Sequence, residues 1–327
     1  MALAPPTTPL RDRRAPTDAK PKAFRETLAR ELGSRLGEDL DDAGRFAKDL
    51  GAALAELADA NDRAGQVHVA PGIGPTHGVR TPLQVALRKG FEKASRGAST
   101  AQLLLVVDRA LAEPEREARW FAITTLQRTI GIEPERTWQL LRRAAAQADD
   151  WITVDTLAHP FGKGILAEPY RWAELEQLTV SPSRWERRLV GSTIATLPFV
   201  DRSEGRTADV ADRGLRLLGT LIGDSEPDVQ KALSWGYRSM AMIDREATTA
   251  ALEHEAEAAA RASDGHRAWV IRDSLQKLDP ADAARLRERL GAVRRRAKTP
   301  STSEAAEMAG RFADMGLGRS MPQPPLT

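Results

Sequence analysis

The chain contains no cysteine. This excludes disulfides and thiolate-ligated metal sites, and it fits a reducing cytoplasm. No apolar run approaches the ~20 residues that a membrane span requires. The Pro- and Arg-rich first 22 residues hold no apolar signal core, which argues against secretion and for a cytoplasmic protein. No strand-like alternation extends beyond a few residues. Gly72-Ile73-Gly74 has no strand before it, so it reads as a loop and not as a nucleotide-binding turn. The five histidines are scattered. Asp155 and His159 stand at i, i+4 without a third ligand nearby, so neither a metal nor a cofactor is expected. Neither sign of charge dominates: 48 Lys and Arg face 46 Asp and Glu, with a pI near 9.0. A polyanionic partner is therefore permitted, and the case for one rests on where the charges cluster.

Helical patterns fill what remains. With 327 residues there is room for one or two domains with a sizeable core. Residues 1–22 read as a disordered tail, 23–296 as one helical-repeat domain and 297–327 as a second disordered tail. Helices are expected over Ala23–Leu36 and Leu40–Asn61, followed by a Gly/Pro-rich connection from Gly65 to Pro82. Thr81 should cap the next helix, with Pro82 in its first turn. From about residue 100 the pattern becomes periodic. The second members of helix pairs begin near Trp120, Trp151, Trp185, Val229 and His266, in steps of 31, 34, 44 and 37 residues. Breakers separate the members at Glu113-Pro114, Glu133-Pro134, Ser181-Pro182, Glu226-Pro227 and Asp279-Pro280. The expected fold is an all-α solenoid of HEAT-like repeats whose second helices line a concave groove.

Three of those helices share a design. In Asp149–Leu157 the acidic start suits a helix N-terminus, and Val154, Leu157 and Phe161 form the apolar stripe. Trp151 and Asp155 are left facing away from it. In the next helix Val190, Ile194 and Leu197 are the core side, with Trp185 and Arg188 opposite. In the third, Leu233, Tyr237 and Met240 face the core, while Lys231, Trp235 and Arg238 share the other side. Aromatic plates interleaved with cations suit a nucleic acid, the cations for phosphate and the π-faces for sugar and base. Trp120, Trp138, Trp172 and Trp269 are expected in the core, where tryptophan in helical proteins usually lies.

These residues resemble the bacterial alkylpurine DNA glycosylases of the AlkD type. The resemblance is carried by Asp150-Trp151-x-x-x-Asp155, Trp185-x-x-Arg188, Gln230-Lys231-Ala232-x-x-Trp235 and Arg119-Trp120-Phe121-Ala122, and it spans about residues 78 to 280. It implies a DNA repair enzyme of base excision repair, a monomer near the nucleoid, acting on double-stranded DNA with alkylated purines. Residue by residue, it implies that Asp155 is the catalytic carboxylate, that Trp151 and Trp235 pack against the lesion deoxyribose, and that Arg188 holds a phosphate. Trp185, Lys231 and Arg238 share the DNA-facing side. The family's N-terminal aromatic segment has no counterpart, its place being taken by the Gly65–Pro82 loop.

The chemistry is self-consistent. A purine alkylated at N3 or N7 is cationic and already a good leaving group. What remains is to stabilise an oxocarbenium-like sugar and to direct water, and one carboxylate does both. The rival reading is a helical-repeat scaffold that binds DNA or a protein without catalysis. A carboxylate facing phosphates would only weaken such a binder.

Overall fold

Several helix starts in the repeat region follow from a local signal. Asp150 caps the helix beginning at Trp151 by accepting from the amides of Ile152 and Thr153 at 2.8 and 2.9 Å. Pro134, Pro227 and Pro280 each occupy the first turn of a helix, where the missing N–H costs nothing. The computed structural model describes residues 22–38 and 40–315, and among these there is no strand. The helices are α1 (Lys22–Glu38), α2 (Ala43–Glu56), α3 (Ala60–Val69), α4 (Thr81–Ala94), α5 (Thr100–Leu111), α6 (Arg116–Thr125), α7 (Pro134–Ala146) and α8 (Trp151–Ala167). They continue as α9 (Arg171–Gln177), α10 (Arg184–Val200), α11 (Ala208–Leu221), α12 (Pro227–Met240), α13 (Arg245–Ala262), α14 (Gly265–Ser274), α15 (Pro280–Leu290) and α16 (Glu304–Asp314). None is long and apolar enough to cross a membrane.

The expected solenoid is what forms. α6, α8, α10, α12 and α14 pack side by side as one layer, and α11, α13 and α15 stack as the other. The layer helices begin within a few residues of the expected starts. Their stripes are buried as read: Val154, Leu157 and Phe161 on α8, Val190, Ile194 and Leu197 on α10, and Leu233, Tyr237 and Met240 on α12.

The N-terminal third departs from the sequence reading in three ways. The expected helix to Asn61 breaks at Leu57, because Asp59 accepts from the amides of Asn61 and Asp62 and starts α3 anew. α3 then runs on to Val69, so the connection is shorter than Gly65–Pro82. Thr81 lies inside α4, whose cap position is Arg80. The remaining loop is held by a buried carboxylate. Glu117 on α6 accepts from the Thr76 hydroxyl at 2.7 Å and from the amides of His77, Gly78 and Val79 at 3.2, 2.9 and 3.1 Å. Gly78 lies at φ +80°, and a Cβ there would stand 2.5 Å from the Asp59 carbonyl, so only glycine fits the turn.

α1 and α4 cross closely, and glycines permit it on both sides. A Cβ on Gly33 would collide with the Leu87 carbonyl, and one on Gly90 with the Arg30 carbonyl.

The C-terminal segment also differs from the sequence reading. Residues 297–315, expected within a disordered tail, fold back along the repeats. The amide of Thr302 donates to the Gly223 carbonyl at 2.9 Å, the Ser303 hydroxyl donates to the Thr220 carbonyl at 2.8 Å, and α16 packs on α11 with Ala305 and Ala309 buried. Ser and Thr read as tail residues by composition, but here their hydroxyls satisfy carbonyls left free near the end of α11. The expected tails at 1–21 and 316–327 lie outside the described residues.

Two outcomes follow. Gly90→Val should cost about 1–3 kcal/mol by overpacking. Gly51→Ala, in the interior of α2 with open space around it, should instead add about 0.5–1 kcal/mol. Urea unfolding of both variants checks the pair, and an unaffected Gly90→Val would contradict the close crossing. For the loop, burial acts to raise the Glu117 pKa, but the Thr76 hydroxyl, the Arg116 charge and the backbone amides outweigh it and hold the carboxyl below its ordinary 4.5. A depressed carboxyl stabilises fully above its ordinary value and loses that contribution as pH falls through its folded value. Glu117→Gln should therefore destabilise by about 1–3 kcal/mol at neutral pH. The protection factors of the His77, Gly78 and Val79 amides, taken against intrinsic exchange at the same pH, should fall in the variant, and in the wild type as pH drops below the carboxyl's ordinary 4.5; unchanged protection would refute the clasp.

Candidate functional site

Asp155 lies one helical turn into α8 from Trp151, on the side away from the buried stripe. Its carboxylate meets α10 directly. Arg188 Nε donates to Asp155 Oδ1 at 3.1 Å and Nη2 donates to Oδ2 at 2.7 Å, a two-pronged pair. Ser192, one turn further along α10, donates its hydroxyl to Asp155 Oδ1 at 2.7 Å. The third guanidinium nitrogen, Nη1, donates to the Asp228 carbonyl at 2.6 Å, at the start of α12. The Asp155 side chain stays 22% exposed while Arg188 is 6% exposed. The carboxylate thus has its inner side occupied and an outer side open to solvent.

The indoles divide as the sites require. Trp138 and Trp172 are buried, and Trp120, Trp185 and Trp269 are half-buried against the core. Trp151 and Trp235 are the two half-exposed indoles that do not pack on it. The Arg188 guanidinium carbon lies 5.9 Å from the Trp151 ring centroid, so the indole, the cation and the carboxylate form one cluster.

Several outward placements need correction. Arg188 is not on an exposed face: α8 and α12 cover it from both sides. Arg187 is buried as well, with Nε donating to Asp224 Oδ2 at 2.8 Å. Trp185 packs on the core, with Arg184 stacked over it at 4.7 Å. Arg238 is half-buried and bonded to Asp273, Nη1 standing 2.7 Å from Oδ2 and 2.8 Å from the carbonyl. Of the four cation and indole positions expected to meet phosphate, Lys231 is the exposed one. Helical periodicity gives a direction relative to one helix axis and cannot say whether a neighbouring helix covers that direction.

Sequence reasoning missed Ser192, Ser234 and Asp273. Ser234 donates to Asp273 Oδ2 at 2.6 Å, so Ser234, Arg238 and Asp273 repeat the Ser–Arg–Asp arrangement further along the layer. The available signal was the spacing: an Arg and a Ser stand four apart on both α10 (Arg188, Ser192) and α12 (Ser234, Arg238), in opposite order, and Trp and Asp stand at i, i+4 on both α8 and α14.

A family model described as DNA alkylation repair enzyme matches residues 50–278. No curated protein matches the chain significantly.

The site geometry separates two kinds of cation. Arg188→Ala should destabilise by about 1–3 kcal/mol, the worth of hydrogen bonds to a charged group. Arg188→Lys should recover little, since an ammonium cannot reproduce the fork. Lys231→Ala should stay within about 0.5 kcal/mol of wild type. Chemical unfolding of the three variants checks this, and equal stabilities would contradict the burial of Arg188.

Proposed function

The chain belongs to the DNA alkylation repair enzyme family, and we propose that it is a DNA glycosylase removing N3- or N7-alkylated purines from duplex DNA. The observation that carries this is the Asp155 carboxylate, fixed by Arg188 and Ser192 yet open on one side beside Trp151. A carboxylate in a phosphate-facing layer opposes binding, and its open side suits a place where positive charge develops.

In the proposed reaction the C1′–N bond breaks and its electron pair passes to the purine, cancelling the charge that alkylation gave it. No general acid is required. Positive charge appears at C1′ and on the ring oxygen of the sugar. Asp155 lowers the energy of that cation and orients a water; the water oxygen bonds C1′ as its proton passes to the carboxylate and on to solvent. The products are the free alkylated base and an abasic sugar with a hydroxyl at C1′. The faces of Trp151 and Trp235 add cation–π attraction of about 0.5–2 kcal/mol each. Arg188 acts here as a positioning residue: its fork fixes the carboxylate plane, and its charge lies on the side away from the substrate. Lys231 is the proposed phosphate contact, with Arg238 contributing its half-exposed edge.

One observation favours the scaffold reading. The related arrangement of Arg238, Ser234 and Asp273 is the form expected if such clusters merely brace neighbouring repeats.

Asp155→Asn separates the two. It should lower the single-turnover release of N7-methylguanine or N3-methyladenine by roughly 10²–10⁴, the usual worth of one positioned catalytic group. Duplex binding should hold or tighten slightly. Equal excision rates at matched occupancy would remove Asp155 from the mechanism. Asp273→Asn serves as control and should leave the rate unchanged.

A further inference from the structure

Beyond α15 the chain runs Arg294-Arg295-Arg296-Ala297-Lys298, four cations in five residues with no carboxylate among them. This segment lies outside the stretch matched by the family model, which ends at residue 278. All four cations are exposed. The bonds recorded for them reach neutral oxygens and a ring. Arg294 Nη1 donates to the carbonyls of Gly291 and Val293 at 2.7 and 2.9 Å. Arg295 Nη1 donates to Gln230 Oε1 at 2.6 Å, and its guanidinium lies 5.3 Å from the Trp269 centroid. Like charges held this close repel one another, and nothing recorded for the segment neutralises them.

The path of the segment sets what it can meet. Residues at matching heights pair across the layer, Asp155 with Arg188 and Gln230 with His266, so α8, α10, α12 and α14 run in parallel with their N-terminal ends along one edge. The strap follows that edge. Arg295 touches the fourth residue of α12, the Thr299 carbonyl lies 3.0 Å from Nε2 of His266, the second residue of α14, and Thr302 bonds Gly223 just before α12. Trp151, Trp185, Arg188, Lys231 and Trp269 all fall within the first five residues of their helices, at the same edge. The strap therefore continues the surface that carries the candidate site. Gly265, His266, Arg294, Arg296 and Thr299 line an open cleft between strap and α14.

We propose that residues 294–298 are a phosphate clamp, gripping the backbone of duplex DNA at the end of the layer beyond Asp155. This rests on the reading above that the layer faces duplex DNA. Charge complementarity and continuity with Lys231 single out that partner: a duplex lying along the N-terminal edge brings its phosphates past Lys231 and then past the strap. The clamp adds to the grip of Lys231 in a chain where Arg187, Arg188 and Arg238 of the layer are engaged by Asp224, Asp155 and Asp273. It positions DNA and touches no reacting atom.

The test is the salt dependence of binding to an undamaged 20-base-pair duplex, followed by fluorescence anisotropy on the full chain. Each phosphate contact contributes about 0.9 to the slope of log affinity against log salt. R294A/R296A/K298A should flatten the slope by roughly 2–3, and R294K/R296K should keep it. R213A/R216A/R285A, which removes three cations from α11 and α15, should leave it unchanged. The clamp variant should release N7-methylguanine at the wild-type single-turnover rate once saturated. A wild-type slope in the clamp variant, or an equal loss in the α11 and α15 control, overturns the clamp and leaves the glycosylase reading standing. If the wild type binds no duplex at low salt, clamp and groove fall together, whereas duplex binding without base release removes only the glycosylase reading.

Discussion

The guanidinium of Arg188 bonds the carboxylate of Asp155 on α8 and the Asp228 carbonyl at the start of α12, from its own place on α10. Three consecutive repeats meet at that one group. Because a guanidinium is planar and its donors are fixed, it dictates both the distance between α8 and α10 and the plane of the Asp155 carboxylate. The same bonds leave one side of the carboxylate free. An aspartate held by a flexible lysine, or by nothing, would keep its charge but lose a defined direction, and a stabiliser of a developing cation must be in place beforehand. Packing and proposed catalysis therefore depend on the same contact.

That contact belongs to a wider pattern. Charged partners recur about one repeat apart along the chain: Asp155 and Arg188 are separated by 33 residues, Arg238 and Asp273 by 35, Arg171 and Glu135 by 36, Arg187 and Asp224 by 37. Arg285 with Glu253 and Arg289 with Glu257 do the same at 32 on the outer helices. Each repeat buries its apolar stripe against its neighbours, and these pairs fix the register in which it does so. The exposed ones add little stability, whereas the covered ones resist loss of either partner because a lone buried charge is costly.

The sequence made the helices legible and the covered side chains not. Starts at Trp151 and Pro227 follow from caps and prolines within the first turn, and the stripes on α8, α10 and α12 follow from spacing alone. Trp151 and Trp235 were rightly read as off the core. Arg188 reads as a surface cation because its own helix turns it outward, and only the adjacent repeats, 33 and 40 residues away, cover it. The loop clasped by Glu117 and the strap from 292 to 303 escaped for a related reason. Their Gly, Ser, Thr and Pro residues look like linker, and the groups that order them lie about 40 residues away for Glu117 and about 80 for Gly223 and Thr220. Polar segments whose partners are that distant carry no local signature.

Family membership places the chain in alkylation repair, and the central claim is that its chemistry is hydrolysis of the glycosidic bond. The most direct measurement incubates the wild-type chain, without added metal or cofactor, with a duplex bearing a single N7-methylguanine, and follows both products. The account expects free N7-methylguanine by mass spectrometry together with an equal amount of alkali-labile abasic site at the lesion position, in single-turnover amounts. Tight binding of the duplex with the base still attached and no abasic site would contradict it.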